Sequence, residues 1–209
     1  MRVLIADDHT IVRRGLRDIL IHELEDAICG EAKNAEEVLK QTRSHEWDLV
    51  ILDLTMPGRS GLDILRDLKR EQPDLPVLIL SMHSEQQYGR RVLRAGAFGY
   101  LNKESAPEEL LQAIRKVLTG GRYVSPTLAE KLALDLHPET ERTAHERLSD
   151  RELEVLRMLG SGRTNSQIAE ELHLSVTTVS TYRARILEKL NMTTTAELMH
   201  YALSNHLVE

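Results

Sequence analysis

The sequence predicts an α/β protein: a doubly wound, five-stranded parallel sheet followed by a small all-α domain. Three observations carry this. Over residues 1–120, apolar runs of strand length alternate with amphipathic helical stretches, the pattern of strand–crossover–strand units wound right-handed onto one parallel sheet. Two of those runs end on acids, Val3-Leu-Ile-Ala6 on Asp7-Asp8 and Val50-Ile-Leu on Asp53, the second just before a Pro57-Gly58 turn. From Leu148 onward the apolar residues recur at helical spacing instead.

Arg2–Ala6 is the first strand, and Thr10–His22 an amphipathic helix with Ile11, Leu16, Ile19 and Leu20 inward. A strand over about Ala27–Ala32, a helix over Ala35–Ser44 and the Asp53 strand, Asp48–Leu54, follow. Leu62, Ile64, Leu65 and Leu68 give helical spacing to Gly61–Glu71, and Pro76–Leu80 is a fourth strand ending on Ser81. A less regular helical stretch, Glu85–Ala95, leads through Gly96-Ala-Phe-Gly99 to a short strand at Tyr100-Leu101 that ends near Lys103. Pro107–Thr119 is the last helix of this domain, closed by Gly120-Gly121. Residues 121–147 read as a linker, with one short helical stretch at Thr127–Leu136 and a polar, aperiodic run from Pro138 to Thr143. Residues 148–209 form the second domain. Ser149-Asp-Arg-Glu152 has capping-box spacing and opens a helix to Gly160. Asn165–Leu172 is a short helix, and after His173-Leu174 a helix capped by Ser175 runs to about Leu190, making a helix-turn-helix. Thr195–Asn205 is the final helix.

The chain's 209 residues, 41% of them hydrophobic, suffice for two cores. No apolar run approaches the roughly twenty residues of a membrane helix, and the chain enters Val3-Leu-Ile without a signal-peptide pattern, so the cytoplasm is the expected address. A lone cysteine, Cys29, excludes an internal disulfide and a Cys-rich zinc site and fits a small buried hydrophobe. A net charge of -6 speaks against nucleic acid only for the chain as a whole; one face of one domain decides the matter.

In an open parallel sheet, ligands bind in the crevice beyond the carboxyl ends of the strands. Asp7, Asp8 and Asp53 are delivered to that edge, where three carboxylates without a cation would repel and raise one another's pKa. A hard divalent cation removes the cost. Magnesium takes one or two carboxylates directly and completes its shell with water and phosphate oxygen, which points to phosphoryl chemistry. A carboxylate attacks phosphorus to give an aspartyl phosphate, and the metal, a lysine and hydroxyl donors hold the charge. Lys103 and Ser81 are carried to the same edge by strand ends. Singly, each of these residues has an ordinary reading as a turn residue, cap or solvated charge; it is their convergence that carries weight. His9 and His83 lie close by, but hard oxygen ligands suffice for the metal, and these histidines read as loop residues tuning access of water or of a partner.

On Asp7-Asp8, Asp53 with Met56-Pro57-Gly58 and Gly61, Ser81, Gly96-Ala97-Phe98-Gly99-Tyr100 and Lys103, residues 1–120 resemble the receiver domain of a two-component response regulator, a flavodoxin-like fold. The resemblance implies that Asp53 accepts a phosphoryl group from a sensor histidine kinase. It also implies that Asp7 or Asp8, with Asp53 and the Thr55 carbonyl, holds Mg2+, and that Lys103 pairs with the phosphate. Ser81 would hydrogen-bond a phosphate oxygen and draw its strand end inward, and Tyr100 would rotate inward into the space that it leaves.

In the second domain, Val176, Val179, Ile186, Leu187 and Leu190 fall on one side of the long helix and Thr177, Thr178, Thr181, Ala184 and Arg185 opposite, with Ser180, Tyr182 and Lys189 on the flanks. At roughly 1.5 Å per residue the helix is on the order of 20 Å long, enough for a DNA major groove. Residues 148–209 hold 6 basic and 8 acidic residues, yet Val176–Leu190 carries Arg183, Arg185 and Lys189 against Glu188 alone, so the positive charge is local. Small hydroxyl and methyl side chains admit close approach to base edges, and Arg, Lys and Tyr can hold phosphates. The stretches Leu148-Ser-Asp-Arg-Glu152-Leu-Glu154-Val-Leu, Gly162-Arg-Thr-Asn165-Ser-Gln-Ile168-Ala, Leu174-Ser175, Thr178-Val179, Ile186 and Lys189-Leu190 resemble a LuxR-type DNA-binding domain, whose fourth helix builds a dimer. The chain departs from that pattern at Ser180, where a basic residue is common, at Tyr182, where histidine is, and at Thr193-Thr-Thr195, where arginine is. Affinity is therefore expected to lean on dimerisation.

The combination resembles a NarL/FixJ-type response regulator over nearly the whole chain. It implies a transcription factor, not an enzyme: a homodimer when phosphorylated, on a double-stranded DNA operator, with RNA polymerase as a further candidate partner and no membrane. Two rivals belong to other classes. A magnesium-dependent aspartyl phosphatase would place a second acid two residues past the nucleophile, where this chain has Thr55. A phosphorylation-independent DNA-binding regulator would keep the receiver only as a dimerisation module.

Overall fold

In the computed structural model, which describes residues 1–24, 26–56, 59–104, 107–134 and 144–208, five parallel strands stand in the order β2-β1-β3-β4-β5. They are β1 (Arg2–Ala6), β2 (Ile28–Ala32), β3 (Leu49–Leu52), β4 (Val77–Ser81) and β5 (Gly99–Asn102). The helices that alternate with them are α1 (Thr10–Glu23), α2 (Ala35–Ser44), α3 (Gly61–Glu71), α4 (Glu85–Arg94) and α5 (Pro107–Leu118). The chain leaves β1 for β2 on one side and returns to the other side of β1 for β3, so the loops after β1 and β3 part and open a crevice. Pairing of Ala6 with Leu52 sets Asp7 and Asp53 side by side at that mouth, and pairing of Ser81 with Asn102 brings Ser81 and Lys103 to the same edge.

Helices cover both faces, which is why the strands read as unbroken apolar runs. Val3, Ile5, Leu49, Ile51, Leu78, Leu80 and Leu101 pack with Leu16 and Leu20 of α1 and with Leu110, Ala113, Ile114 and Val117 of α5. The alternate residues Leu4, Val50, Leu52, Val77, Ile79 and Tyr100 are also buried. Ile11, expected inward, is instead 86% exposed. The inward stripe of α1 runs through Arg13, Leu16 and Leu20, because the Arg13 guanidinium finds acceptors inside the fold.

Residues 121–134, expected as part of a linker, make contacts with the first unit. Tyr123 donates its backbone N–H to Phe98 O at 2.8 Å beside β5, and α6 (Pro126–Leu134) lays Leu128 on α4. The contact falls on Gly89, where a Cβ would come within 2.6 Å of the Leu128 side chain. The Ser125 hydroxyl is hydrogen-bonded to the Glu85 carboxylate. Burial of Tyr123 and Leu128 attaches a stretch whose surrounding composition reads as polar and loose. The expected Pro57-Gly58 turn, the end of the short helix at Leu136 and the Pro138–Thr143 run lie outside the described residues.

The chain divides into two compact units, Met1–Pro138 and Glu139–Glu209. The second unit opens with a 3-10 turn, Ala144–Arg147, where His145 N donates to Tyr201 Oη at 3.1 Å, so its structure begins ahead of Leu148. Its helices are α7 (Asp150–Gly160), α8 (Asn165–Glu171), α9 (Val176–Leu190) and α10 (Thr195–Ser204). Capping boxes start three of them, at Ser149/Glu152, Thr164/Gln167 and Thr194/Glu197, and Asn191 ends α9 in the left-handed conformation at φ 54°. Leu153, Leu156, Ile168, Val179, Ile186 and Leu198 form the core. Val176, expected inward, is 48% exposed at the first turn of α9, before the helix reaches that core. Among the described residues no helix is long and apolar enough to cross a membrane.

Candidate functional site

At the mouth of the sheet, Asp53 N donates to Ala6 O at 2.8 Å and Lys103 N to Ser81 O at 2.9 Å, so backbone bonds of adjacent strands set the side chains that follow. Lys103 Nζ lies 2.6 Å from Asp7 Oδ2 and 2.8 Å from Asp53 Oδ2, with both aspartates 2% exposed. One cation thus bridges two buried carboxylates. Burial drives the Asp53 pKa up from 3.8 to about 6, against the pull of the Lys103 charge. Desolvation works to depress the Lys103 pKa, but the carboxylates of Asp53 and Asp7 outweigh it and the pKa is raised.

Gly61 lets α3 start close beneath this site. A Cβ there would come within 2.2 Å of Asp53 O and 2.6 Å of Leu54 Cα, a backbone clash no rotamer relieves. Thr55 N donates to Asp53 Oδ1 at 3.2 Å. Asp7, Asp8, His9 and Asp53 offer ligand atoms within 4.8 Å of one another, a set able to hold a metal ion. Asp8 Oδ1 is buried without a hydrogen bond; His9 Nδ1 approaches it to 2.7 Å, but not along a hydrogen-bonding direction. Three carboxylates with one such oxygen are a donor set suited to a hard, oxygen-seeking cation.

Arg13 was not singled out in the sequence, and His83, expected near the crevice, takes a definite place in it. Arg13 donates through Nη1 to Asp7 O at 2.8 Å and Asp8 O at 3.1 Å, and through Nε to Glu31 at 3.0 Å, pinning the loop that carries both acids. A charged residue at an inward helical position was the available signal. His83 closes the opposite rim, with Nε2 3.1 Å from Thr55 Oγ1 and its ring stacked on Tyr88.

Ser81 is fully buried and accepts from His83 N at 3.3 Å. The Tyr100 ring lies inward, 1% exposed, with Oη donating to His83 O at 2.6 Å. Burial pushes the phenol pKa above its usual range, opposed by a hydrogen bond with Ser81.

On α9, Val179, Ile186 and Leu190 face the core and Thr177, Thr181, Ala184, Arg185 and Lys189 are exposed; Thr178, Ser180 and Tyr182 are half-buried. Several expected DNA contacts are engaged within the unit. Lys189 Nζ lies 2.6 Å from the buried Glu152 carboxylate, which itself closes the α7 capping box. That ties α9 to α7, whereas the sequence suggested a free phosphate contact. Burial alone would raise the Glu152 pKa, but the bonds from Lys189 and Ser149 hold it low. Ser180 Oγ accepts from Asn165 Nδ2 at 3.2 Å, Thr178 Oγ1 lies 2.8 Å from Ser175 Oγ, and Thr181 Oγ1 donates to Thr177 O at 3.0 Å.

Among known proteins, residues 3–115 match the family described as response regulator receiver domain, and residues 146–202 that described as bacterial regulatory proteins, luxR family. The chain is 38% identical over 208 residues to the response regulator UvrY of Escherichia coli (strain K12), covering 99% of this chain and 95% of that protein. It is 38% identical over 210 residues to the response regulator GacA of Pseudomonas aeruginosa, covering 100% and 98%. A solved structure of RcsB from Salmonella enterica serovar Typhimurium, bound to promoter rprA in the presence of phosphomimetic BeF3-, is 29% identical with a TM-score of 0.64, covering 98% of this chain and 99% of that one.

Proposed function

The chain belongs to the two-component response regulators of the NarL/FixJ type, DNA-binding transcription regulators rather than enzymes, and on that premise we propose that Asp53 is the phosphoacceptor through which a sensor histidine kinase controls dimerisation and operator binding. The observation that carries this is the Lys103 ammonium seated between Asp7 and Asp53. An oxygen of the ionised Asp53 carboxylate bonds to phosphorus as the bond to the kinase's phosphohistidine nitrogen breaks, and that nitrogen keeps the electron pair. With its pKa at about 6, Asp53 is ionised near neutral pH and therefore competent as the nucleophile. Asp7, Asp8 and Asp53, with the Thr55 carbonyl, would hold Mg2+, which supplies charge neutralisation for the phosphoryl oxygens. Lys103 would turn from the carboxylates to a phosphoryl oxygen and Ser81 would donate its hydroxyl to another. Because Ser81, His83 and Tyr100 are joined by hydrogen bonds, a pull on Ser81 reaches the start of α4.

The output is a cytoplasmic homodimer on two half-sites about one helical turn apart, with α9 in the major groove and RNA polymerase as the downstream partner. In a second reading the receiver keeps one binding-competent arrangement and serves only to dimerise. Gel-shift and sedimentation of the full chain, with and without acetyl phosphate plus magnesium, separate the two. Phosphodonor should strengthen DNA binding and dimerisation in the wild type and leave Asp53→Ala unlabelled and unresponsive. Labelling of the alanine variant sinks the acceptor assignment, and equal DNA affinity in both conditions leaves the dimerisation-only reading.

A further inference from the structure

Of the hydroxyl groups on α9, those of Thr178, Ser180 and Thr181 are bonded inside the domain, and this limits what these positions can show to a base. Thr181 donates its hydroxyl to Thr177 O one turn back, Thr178 shares a hydrogen with the Ser175 cap, and Ser180 accepts from Asn165 of α8. A threonine bonded back to the preceding turn has its rotamer set, and the part of its exposed side chain left to face outward is the methyl group. Ala184 adds a second methyl. Of the cations on the helix, Lys189 is held by Glu152 and Arg183 by Thr195 Oγ1 at 2.6 Å. Arg185 is exposed and, among the described residues, has no hydrogen-bond or ion-pair partner.

Thr181 and Arg185 therefore stand one turn apart on the same face, one apolar and one a five-donor fork. In the major groove a methyl group is matched by the C5 methyl of thymine, and a guanidinium by O6 and N7 of guanine. We infer that α9 reads a thymine through the Thr181 methyl and a guanine through Arg185, the two bases lying about two base-pair steps apart, since one helical turn rises about 5.4 Å. The inference rests on the reading that α9 is the groove-facing helix and deepens it by naming the bases.

The test takes the half-site that the full chain, with acetyl phosphate and magnesium, selects from random duplexes. Each thymine is then replaced singly by uracil, which lacks only the C5 methyl. At one thymine the wild type should lose about fourfold in affinity, the worth of one buried methyl group. Thr181→Val, which keeps the methyl, should retain the preference for thymine over uracil, while Thr181→Ser, which keeps the hydroxyl, should lose it. Arg185→Ala should relax selection at a guanine by on the order of tenfold. The methyl assignment is overturned if the wild type binds every uracil duplex as well as the thymine one, or if Thr181→Ser keeps the preference while Thr181→Val loses it. Should Arg185→Ala and both Thr181 variants select the wild-type site with unchanged affinity, α9 is not the reading helix and the underlying functional reading falls instead.

Discussion

Replacing Asp53 by asparagine should stabilise the first unit of the metal-free protein at pH 8, and progressively less as the pH falls. Folded, the Asp53 carboxyl titrates at about 6 rather than 3.8. Between those values the folded state keeps a proton that the unfolded state has released, so the stability tied to the protonated form is complete below 3.8 and is lost as the pH rises through 6. At pH 8 the ionised carboxylate costs roughly 3 kcal/mol relative to a neutral group of the same shape, falling to about half of that at pH 5. The attraction of Lys103 is already contained in the displaced pKa, and Lys103 keeps its 2.6 Å contact with Asp7 in the variant. Urea unfolding of the full chain in chelator reads this directly, because the single tryptophan, Trp47, lies in the first unit. The midpoint should move up at pH 8 with the slope unchanged. Added magnesium should then raise the wild type more than the variant, since a cation relieves the carboxylate it binds. A variant no more stable than the wild type at pH 8, or an advantage that grows toward pH 5, would refute the reasoning.

Other substitutions test separate contacts. Gly61→Ala drives a methyl into the Asp53 carbonyl oxygen, 2.2 Å from where its Cβ would stand, and should cost more than about 3 kcal/mol in the same titration. Tyr100→Phe removes the donor to His83 O in a buried setting; a loss of about 1–2 kcal/mol and faster amide exchange between β4 and α4 are expected. Lys189→Gln leaves the buried Glu152 carboxylate without its cation and should destabilise the second unit by about 1–2 kcal/mol. The salt dependence of DNA binding should not change in that variant, whereas loss of a phosphate contact would lower the log–log slope by about 0.9.

The phosphoacceptor candidate was legible because the chemistry sits where periodicity stops. Asp7, Asp53, Ser81 and Lys103 each follow a strand whose apolar run is unmistakable, and parallel pairing alone then brings the strand ends together. Arg13 was not legible as a member of the site, and the partner of His83 was not, since these contacts are to loop carbonyls and a hydroxyl reached only after the sheet has formed. The phase of α1 failed at Ile11 for a related reason. Apolar spacing assigns an inward position to isoleucine and an outward one to arginine, but a buried acceptor set inverts the preference. The short helix near Thr127 was legible, but the packing of residues 121–134 was not, because Tyr123 and Leu128 are too few to form a periodic signal, although each has a complementary surface on β5 or α4.

On α9 the sequence conveyed the face but not the functional groups on it. The 3.6-residue period places Val179, Ile186 and Leu190 inward whatever else happens, so Thr177, Thr181, Ala184 and Arg185 must be outward. Whether a hydroxyl on that face is available depends on its rotamer and on the neighbouring helix, and neither is written in residue spacing. A hydroxyl-rich stretch therefore reads as a polar surface, yet the hydroxyls of Thr178, Ser180 and Thr181 are bonded within the domain, and among the described residues Arg185 is the cation of the helix with no such bond. With Lys189 held against Glu152, little charge remains on the helix to bind phosphate without regard to sequence. On the function proposed above, such a helix would gain affinity by pairing with a second copy, and dimerisation would be the step through which the receiver exerts control.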